Sequence, residues 1–382
     1  MAEDTHKDLA RHLLLAREVA LSACATEFED LIGADLYPRW LGRSLSMLVE
    51  GHDSTGRTYE QFLTEIPTET SVGERKFLFN FFRHLWPGLY HVLEIGPFVG
   101  GSTRAMALGM LLNPNRLERC KLYTFDKFDD YYNPDRLLSF LAPLFESGVL
   151  DDKAKEHIKQ TTDFQTIFRL IHEPHEYYPL VQPAAGSLPN TVQETETISN
   201  IFRAPPGLVL DAVFVDGCKS WFGTKYFMQE ISTCAPPGSY FIFQDYGAFT
   251  CFWIPTLVAM LKDYFKLVAH VDNTYTFRLT KPLDAHEINA RFPDSPLQMG
   301  KSNFGLIFRE LLIDAATRND TFTLVNYHLQ HAAALAYIGL YDEAREKILS
   351  LLHRPEFTNF RNWILMSLNV PTYRPNEGNI HL

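Results

Sequence analysis

Cysteine is scarce and scattered in this chain. Five occur in 382 residues, Cys24, Cys120, Cys218, Cys234 and Cys251, an odd number with no C-x-x-C pair. That usage suggests neither a disulfide framework nor a zinc site and fits a reducing compartment. Dense runs of Lys or Arg are missing too. With 35 basic against 46 acidic residues the net charge is −11, and the clustered positive charge needed by a nucleic-acid track or an anionic membrane surface is absent. A small-molecule substrate is expected, with no nucleic-acid or membrane partner. No stretch runs about 18 apolar residues uninterrupted, so no membrane span is expected. Residues Met1 to Lys7 carry both charge signs without an apolar core, and a cytoplasmic location is expected. What the chain has is 46% hydrophobic and 21% charged residues, enough to bury a substantial core.

The most informative stretch is Val92-Leu93-Glu94-Ile95-Gly96-Pro97-Phe98-Val99-Gly100-Gly101-Ser102-Thr103. A buried-type strand breaks there into a glycine turn and then a small-residue helix. Glycines let backbone approach a ligand where a Cβ would collide, and the helix start aims free N–H groups and a positive dipole above the turn. Spacing narrows the choice of ligand. A dinucleotide loop needs G-x-G-x-x-G, but here the second glycine follows the first by four residues. A phosphate-binding loop needs G-x-x-x-x-G-K-[ST], and Ser102 stands where its lysine must be.

Around this loop, apolar β-type runs alternate with helices in the way that builds a mostly parallel sheet. They are His91–Ile95, Lys121–Phe125, Tyr177–Gln182, Leu210–Val215 and Ser239–Phe243. Two more, Lys266–Asp272 and Tyr275–Thr280, are joined too tightly for a helical crossover and should form an antiparallel hairpin. Before them, residues 8 to 90 read as helix, with Leu9, Leu13, Leu14, Val19 and Leu21, then Phe77, Leu78, Phe81, Phe82 and Leu85, near helical spacing. The predicted organisation is a helical cap over 1–70, an α/β domain over 71–282 with an insertion at about 133–206, and a helical extension over 283–382. Within the extension, Ala332 to Pro355 resembles one tetratricopeptide-type hairpin with Gly339 at its turn, and no second copy is evident. A helical pair packed on the main domain, or a dimer partner, is the plainer reading, which leaves a homo-oligomer open.

The pattern E-x-G-x-x-x-G-G-S-T over Glu94–Thr103 resembles the first motif of class I S-adenosylmethionine-dependent methyltransferases, and five parallel strands with a terminal antiparallel hairpin is their arrangement. The resemblance spans residues 70 to 280. It implies a Rossmann-like fold and a cofactor site made of Glu94, Gly96, Pro97, Phe98, Gly100, Ser102 and Thr103 at the loop. Asp126 and Lys127 at the second strand end, Gly186 and Ser187 after the third, and Asp216 after the fourth complete the set. Asp126 is suited to the ribose hydroxyls or, failing that, to a helix cap. Glu94 is suited to the ligand's amino group or an ordered water, or is a structural carboxylate bonded to loop N–H groups.

Asp216-Gly217-Cys218-Lys219-Ser220-Trp221 and Gln244-Asp245-Tyr246 end the fourth and fifth strands. They resemble the macrocin O-methyltransferase and cephalosporin-hydroxylase-like branch, where D-G-x-H-x-Y and an Asp-Asp pair stand. Asp216 and Asp245 could then hold Mg²⁺, although Lys219 replaces the histidine and Gln244 the first acid. Lys219 either deprotonates the acceptor or electrostatically replaces the metal, or is a surface lysine paired with Asp216. Catalytic candidates are therefore Lys219, Asp216 and Asp245. The implied activity is methyl transfer to an oxygen of a sugar or secondary metabolite. A catalytically degenerate binding or assembly protein and a hydroxylase-like relative with other chemistry stay open. His172, His175, His328 and His331 are not expected to form a metal cluster, and His328 and His331, at helical spacing, are expected to pack or face solvent.

Overall fold

The computed structural model describes residues 36–375 and 377–382. The helical spacing from Leu9 to Leu21, and Cys24, lie outside them. The described chain falls into two compact units.

The first unit holds the described residues through Ser187 together with Leu208–Gly217 and Val268–Asp272. Its helices α1 (Tyr37–Met47), α2 (Tyr59–Thr64) and α3 (Val72–His84) precede strand β1 (His91–Ile95). Both α2 and α3 open with a capping box, Thr58 with Gln61 and Ser71 with Glu74, in which side chain and backbone satisfy each other's orphan donors. Helix α3 carries Phe77, Leu78, Phe81 and Phe82 fully buried and packs on α4 (Gly101–Leu112).

Strand β2 (Leu122–Asp126) is followed by α5 (Pro134–Phe140), α6 (Ala142–Glu146), α7 (Asp152–Gln160) and α8 (Gln165–His172), then β3 (Val181–Ala185) and β4 (Leu210–Val215). Pairs β1–β2, β1–β4 and β2–β3 are parallel, and β4 is buried throughout. The third strand starts later than expected. Tyr178-Pro179-Leu180 winds into a 3₁₀ turn with proline in its first turn, and pairing begins at Val181. Pro183 is tolerated because β3 is an edge strand.

The second unit holds Leu188–Gly207, Cys218–Leu267 and Asn273–Leu382. It contains α9 (Glu194–Thr197), α10 (Trp221–Ile231), β5 (Tyr240–Phe243), α11 (Trp253–Met260), the start of β6 (Phe265–Val271) and β7 (Thr274–Leu279). Strand β5 pairs antiparallel with β7. In the first unit the strand order is β3-β2-β1-β4, and in the second β5 neighbours β7.

After α12 (Ala285–Arg291) come α13 (Gly300–Thr317), α14 (Thr321–Tyr337), α15 (Tyr341–Leu351) and α16 (Arg361–Asn369). Each of these four packs on the next, and Gly339 makes the α14–α15 turn at φ +88°. The expectation of helix alone beyond Pro282 needs one correction. Thr372–Arg374 and Gly378–Ile380 form a two-stranded antiparallel hairpin, β8 and β9, too short to leave a period in the sequence.

Candidate cofactor loop and its supports

The turn after β1 is built from left-handed backbone. Gly96 sits at φ +85°, Phe98 at φ +50° and Gly100 at φ +90°. At Gly96 a Cβ would lie 2.7 Å from the Gly217 nitrogen, and at Gly100 it would lie 1.9 Å from His172 Nε2. Both positions therefore need glycine for conformation and for space. Helix α4 begins immediately afterwards with Gly100 as N-cap and no side-chain cap. The amides of its first turn lack intrahelical acceptors and face a positive dipole end.

Glu94 has no solvent exposure. Ser102 Oγ donates to its Oε1 at 2.6 Å and Thr103 Oγ1 to its Oε2 at 2.7 Å. Of the roles open to it, this placement supports the carboxylate bonded within the loop, through hydroxyls and not amides. Burial pushes its pKa up to about 7, against those two hydroxyls and helped by the charge of Asp216.

Asp126 is placed differently. Its Oδ2 accepts from the Phe98 amide at 3.1 Å and its Oδ1 from the Phe128 amide at 2.9 Å, so it braces the loop crest from the end of β2. Burial raises its pKa while the Phe128 and Phe98 amides oppose the rise. Each oxygen keeps a lone pair for a further donor. Gly186 donates to the Asp126 carbonyl at 2.8 Å, and Asp216 to the Ile95 carbonyl at 2.9 Å. Gly186 thus follows β3 beside the end of β2, and Asp216 follows β4 beside the end of β1. Lys127 is exposed and lies 3.9 Å from Asp130.

A polar chain behind the loop escaped the sequence reading. Arg104 is fully buried, ion-paired with Glu65, and donates from Nε to Tyr177 Oη at 3.2 Å. Tyr177 Oη lies 2.7 Å from His172 Nδ1, and His172 Nε2 lies 3.0 Å from the Val99 carbonyl. Burial and then the Arg104 charge hold the His172 pKa well below the usual imidazole range, so the ring is neutral. The network assigns its proton to Nε2, since a carbonyl can only accept. Arg104 thus steadies Tyr177, Tyr177 donates to His172, and His172 fixes the loop carbonyl. Residues 73 positions apart meet here, and no local spacing announces it.

In the second unit, Lys219 and Asp245 form an ion pair. The lysine side chain is 50% exposed and the carboxylate 18%. Ser220 caps α10 through the Gly223 amide at 3.0 Å. Trp221 is buried, stacked on Phe292 at 4.0 Å, and donates to the Pro293 carbonyl at 2.6 Å, so it serves the core. Among the described residues no three or more His, Cys, Asp or Glu side chains stand together as a metal ligand set. Asp245, already neutralised by Lys219, is a poor start for one.

No protein-family model matches the sequence, and no curated protein matches it. Solved structures do. The O-methyltransferase NovP is 15% identical, covering 72% of this chain and 100% of its own at a TM-score of 0.36. The O-methyltransferase from Bacillus cereus in complex with SAH is 13% identical over 64% of this chain and 98% of its own, TM-score 0.33. CalS11, a TDP-rhamnose 3'-O-methyltransferase of calicheamicin biosynthesis, is 14% identical over 70% and 93%, TM-score 0.31. These likenesses are distant, and the reading of the site rests on the chain's own residues. Among the described residues no helix is long and apolar enough to cross a membrane.

Proposed function

We propose that the chain is a class I S-adenosylmethionine-dependent methyltransferase that methylates an oxygen of a small molecule. The observation that carries this reading is the Asp126 carboxylate bonded to the crest of a turn with three left-handed residues, Gly96, Phe98 and Gly100, beside a helix start with no side-chain cap. The residues fit the cofactor. Asp126 has acceptor capacity left for two ribose hydroxyls, and the first amides of α4 suit the ligand's carboxylate. Glu94, Ser102 and Thr103 keep the helix start rigid from below.

Bound S-adenosylmethionine supplies an electrophilic sulfonium methyl. The chain's contribution is to hold that methyl in line with the acceptor oxygen and to exclude water, since positioning alone can lower such a barrier by about 7–11 kcal/mol. Lys219, paired with Asp245, is the residue we assign to the acceptor. Its ammonium stabilises negative charge growing on the oxygen, and Asp245 receives the departing proton. A lysine already paired with one of the two acids favours this metal-free route over Mg²⁺ held by Asp216 and Asp245.

Calorimetry with S-adenosylhomocysteine tests the assignment. The wild-type chain should bind it, and Asp126→Ala should weaken binding at least about tenfold, roughly 1.4 kcal/mol. Equal affinity in both proteins, or no binding to either, removes the cofactor. Turnover of labelled donor with mixed metabolite extract should persist in EDTA, and its loss there would restore the metal.

A further inference from the structure

The stack of α13, α14 and α15 encloses a cleft of two adjoining lobes, about 550 and 480 Å³, each the size of a small-molecule site. Its walls come from helical spacing. Gly305, Arg309, Leu312 and Ala316 share one face of α13, and Leu324, His328, His331 and Leu335 one face of α14. A Cβ added at Gly305 would meet nothing within 4 Å, so the wall is open where the lobes join.

The second lobe is unusual for an acidic protein. Its titratable lining is wholly basic, with Arg309, His328, His331, Lys347 and Arg354 beside Leu312, Ile313, Ala316 and Leu324. Arg354 donates to His328 Nε2 at 2.9 Å and is shared with Glu356. His331 stacks on Phe308 with ring centroids 5.2 Å apart. Lys347 is partly buried, and no carboxylate stands within ion-pair distance of it among the described residues. The other lobe, which Lys347 also lines, carries two acids, Glu343 and Glu346, of which Glu343 is taken by Lys301 at 2.5 Å.

The groups also disfavour one another's protons. Burial and then Lys347 depress both histidines to about 3, and burial and then Arg354 lower Lys347. A partly buried cation gathered with an arginine and two neutral imidazoles destabilises the stack unless a counter-charge arrives from outside.

We propose that this cleft binds a small organic anion, whose carboxylate or phosphate is held by Lys347 and Arg354 beside His331 and whose apolar body lies against Leu312, Ile313 and Leu324. The charged head would form charge-assisted hydrogen bonds with the two cations. Its body would cover apolar wall now facing solvent, Ile313 being 58% exposed.

The test uses the full chain and calorimetry with octanoate, octyl phosphate and octanol. Both anions should bind, octanol at least about tenfold more weakly. Lys347→Gln should weaken both anions at least about tenfold, and its melting temperature should rise by a few degrees because an uncompensated charge is gone. Lys347→Arg should keep the affinity. Should Lys347→Gln not fold, Arg354→Gln replaces it with the same expected loss of anion binding. Octanol binding as well as octanoate would overturn the proposal, as would no anion binding or unchanged affinity in Lys347→Gln. So would binding confined to an acidic peptide. Preference between the two anions identifies which head group the site takes.

Discussion

The turn between β1 and α4 and the cleft of the C-terminal helices handle buried charge in opposite ways. At the turn every charged or polar side chain named above has a partner from the chain itself: Glu94 has two hydroxyls, Asp126 two amides, and His172 a phenol and a carbonyl. In the cleft no carboxylate among the described residues stands within ion-pair distance of Lys347. The first pattern holds backbone in a conformation it would otherwise leave, and the second leaves a charge to be answered by something that is not protein. Preorganised shape and unmet charge are two different preparations for a ligand.

The sharpest way to break the contrast is to add a single methyl group in each region. Gly100→Ala drives a Cβ into His172 at a left-handed φ, and should cost about 4 kcal/mol in denaturant unfolding from strain and overpacking together. A loss under about 1 kcal/mol, where ordinary surface changes lie, would mean the turn is looser than its bonds suggest.

Next comes acidity. The Glu94 carboxyl is raised from 4.5 to about 7 by burial, so the folded state binds its proton more tightly than the unfolded state. Its contribution is complete below about pH 4.5 and is lost as pH rises through about 7, on the order of 3 kcal/mol in all. Wild-type stability measured in urea should carry that fall between pH 4.5 and 7, and Glu94→Gln should flatten it. An unchanged slope would show that Glu94 is ionised throughout and that its hydroxyl partners outweigh burial.

The strand–turn–helix part of this comparison was legible in the sequence, and the supports were not. The bounds of β1 and β4 match the apolar runs His91–Ile95 and Leu210–Val215, because buried parallel strands leave continuous runs. Glu94, Ser102 and Thr103 lie within ten positions, so their meeting follows from one turn. Arg104, Tyr177 and His172 come from α4, the loop before β3 and α8. Only tertiary packing joins them, and a buried arginine inside an apolar helix reads as an ordinary helix former. The shift of β3 has a local cause, Pro179, whose fixed φ suits the 3₁₀ turn. The cleft was hidden for the reverse reason, since His328 and His331 at helical spacing look like any packed histidines until α15 brings Lys347 to them.

Two smaller effects complete the set. Lys219→Gln should change stability by less than about 1 kcal/mol, because the Asp245 pair is half-exposed at the lysine, yet lower methyl turnover on the order of a hundredfold. Full turnover would reduce the pair to a surface contact. Gly305→Ala, inside α13 with open space above it, should stabilise the chain by about 0.5–1 kcal/mol in the same unfolding assay. A loss there would mean that the wall is closed and that both regions are packed alike.

The crest of the turn has one more consequence. Phe98, the non-glycine residue at φ +50°, is ringed by Tyr131, Tyr132, Phe140 and Phe164 at centroid distances of 4.9 to 5.4 Å. All four rings come from the stretch between β2 and β3. Shortening or nicking that stretch with a protease would therefore unlatch a segment more than thirty residues upstream, and evolutionary trimming of it would demand a different residue at position 98.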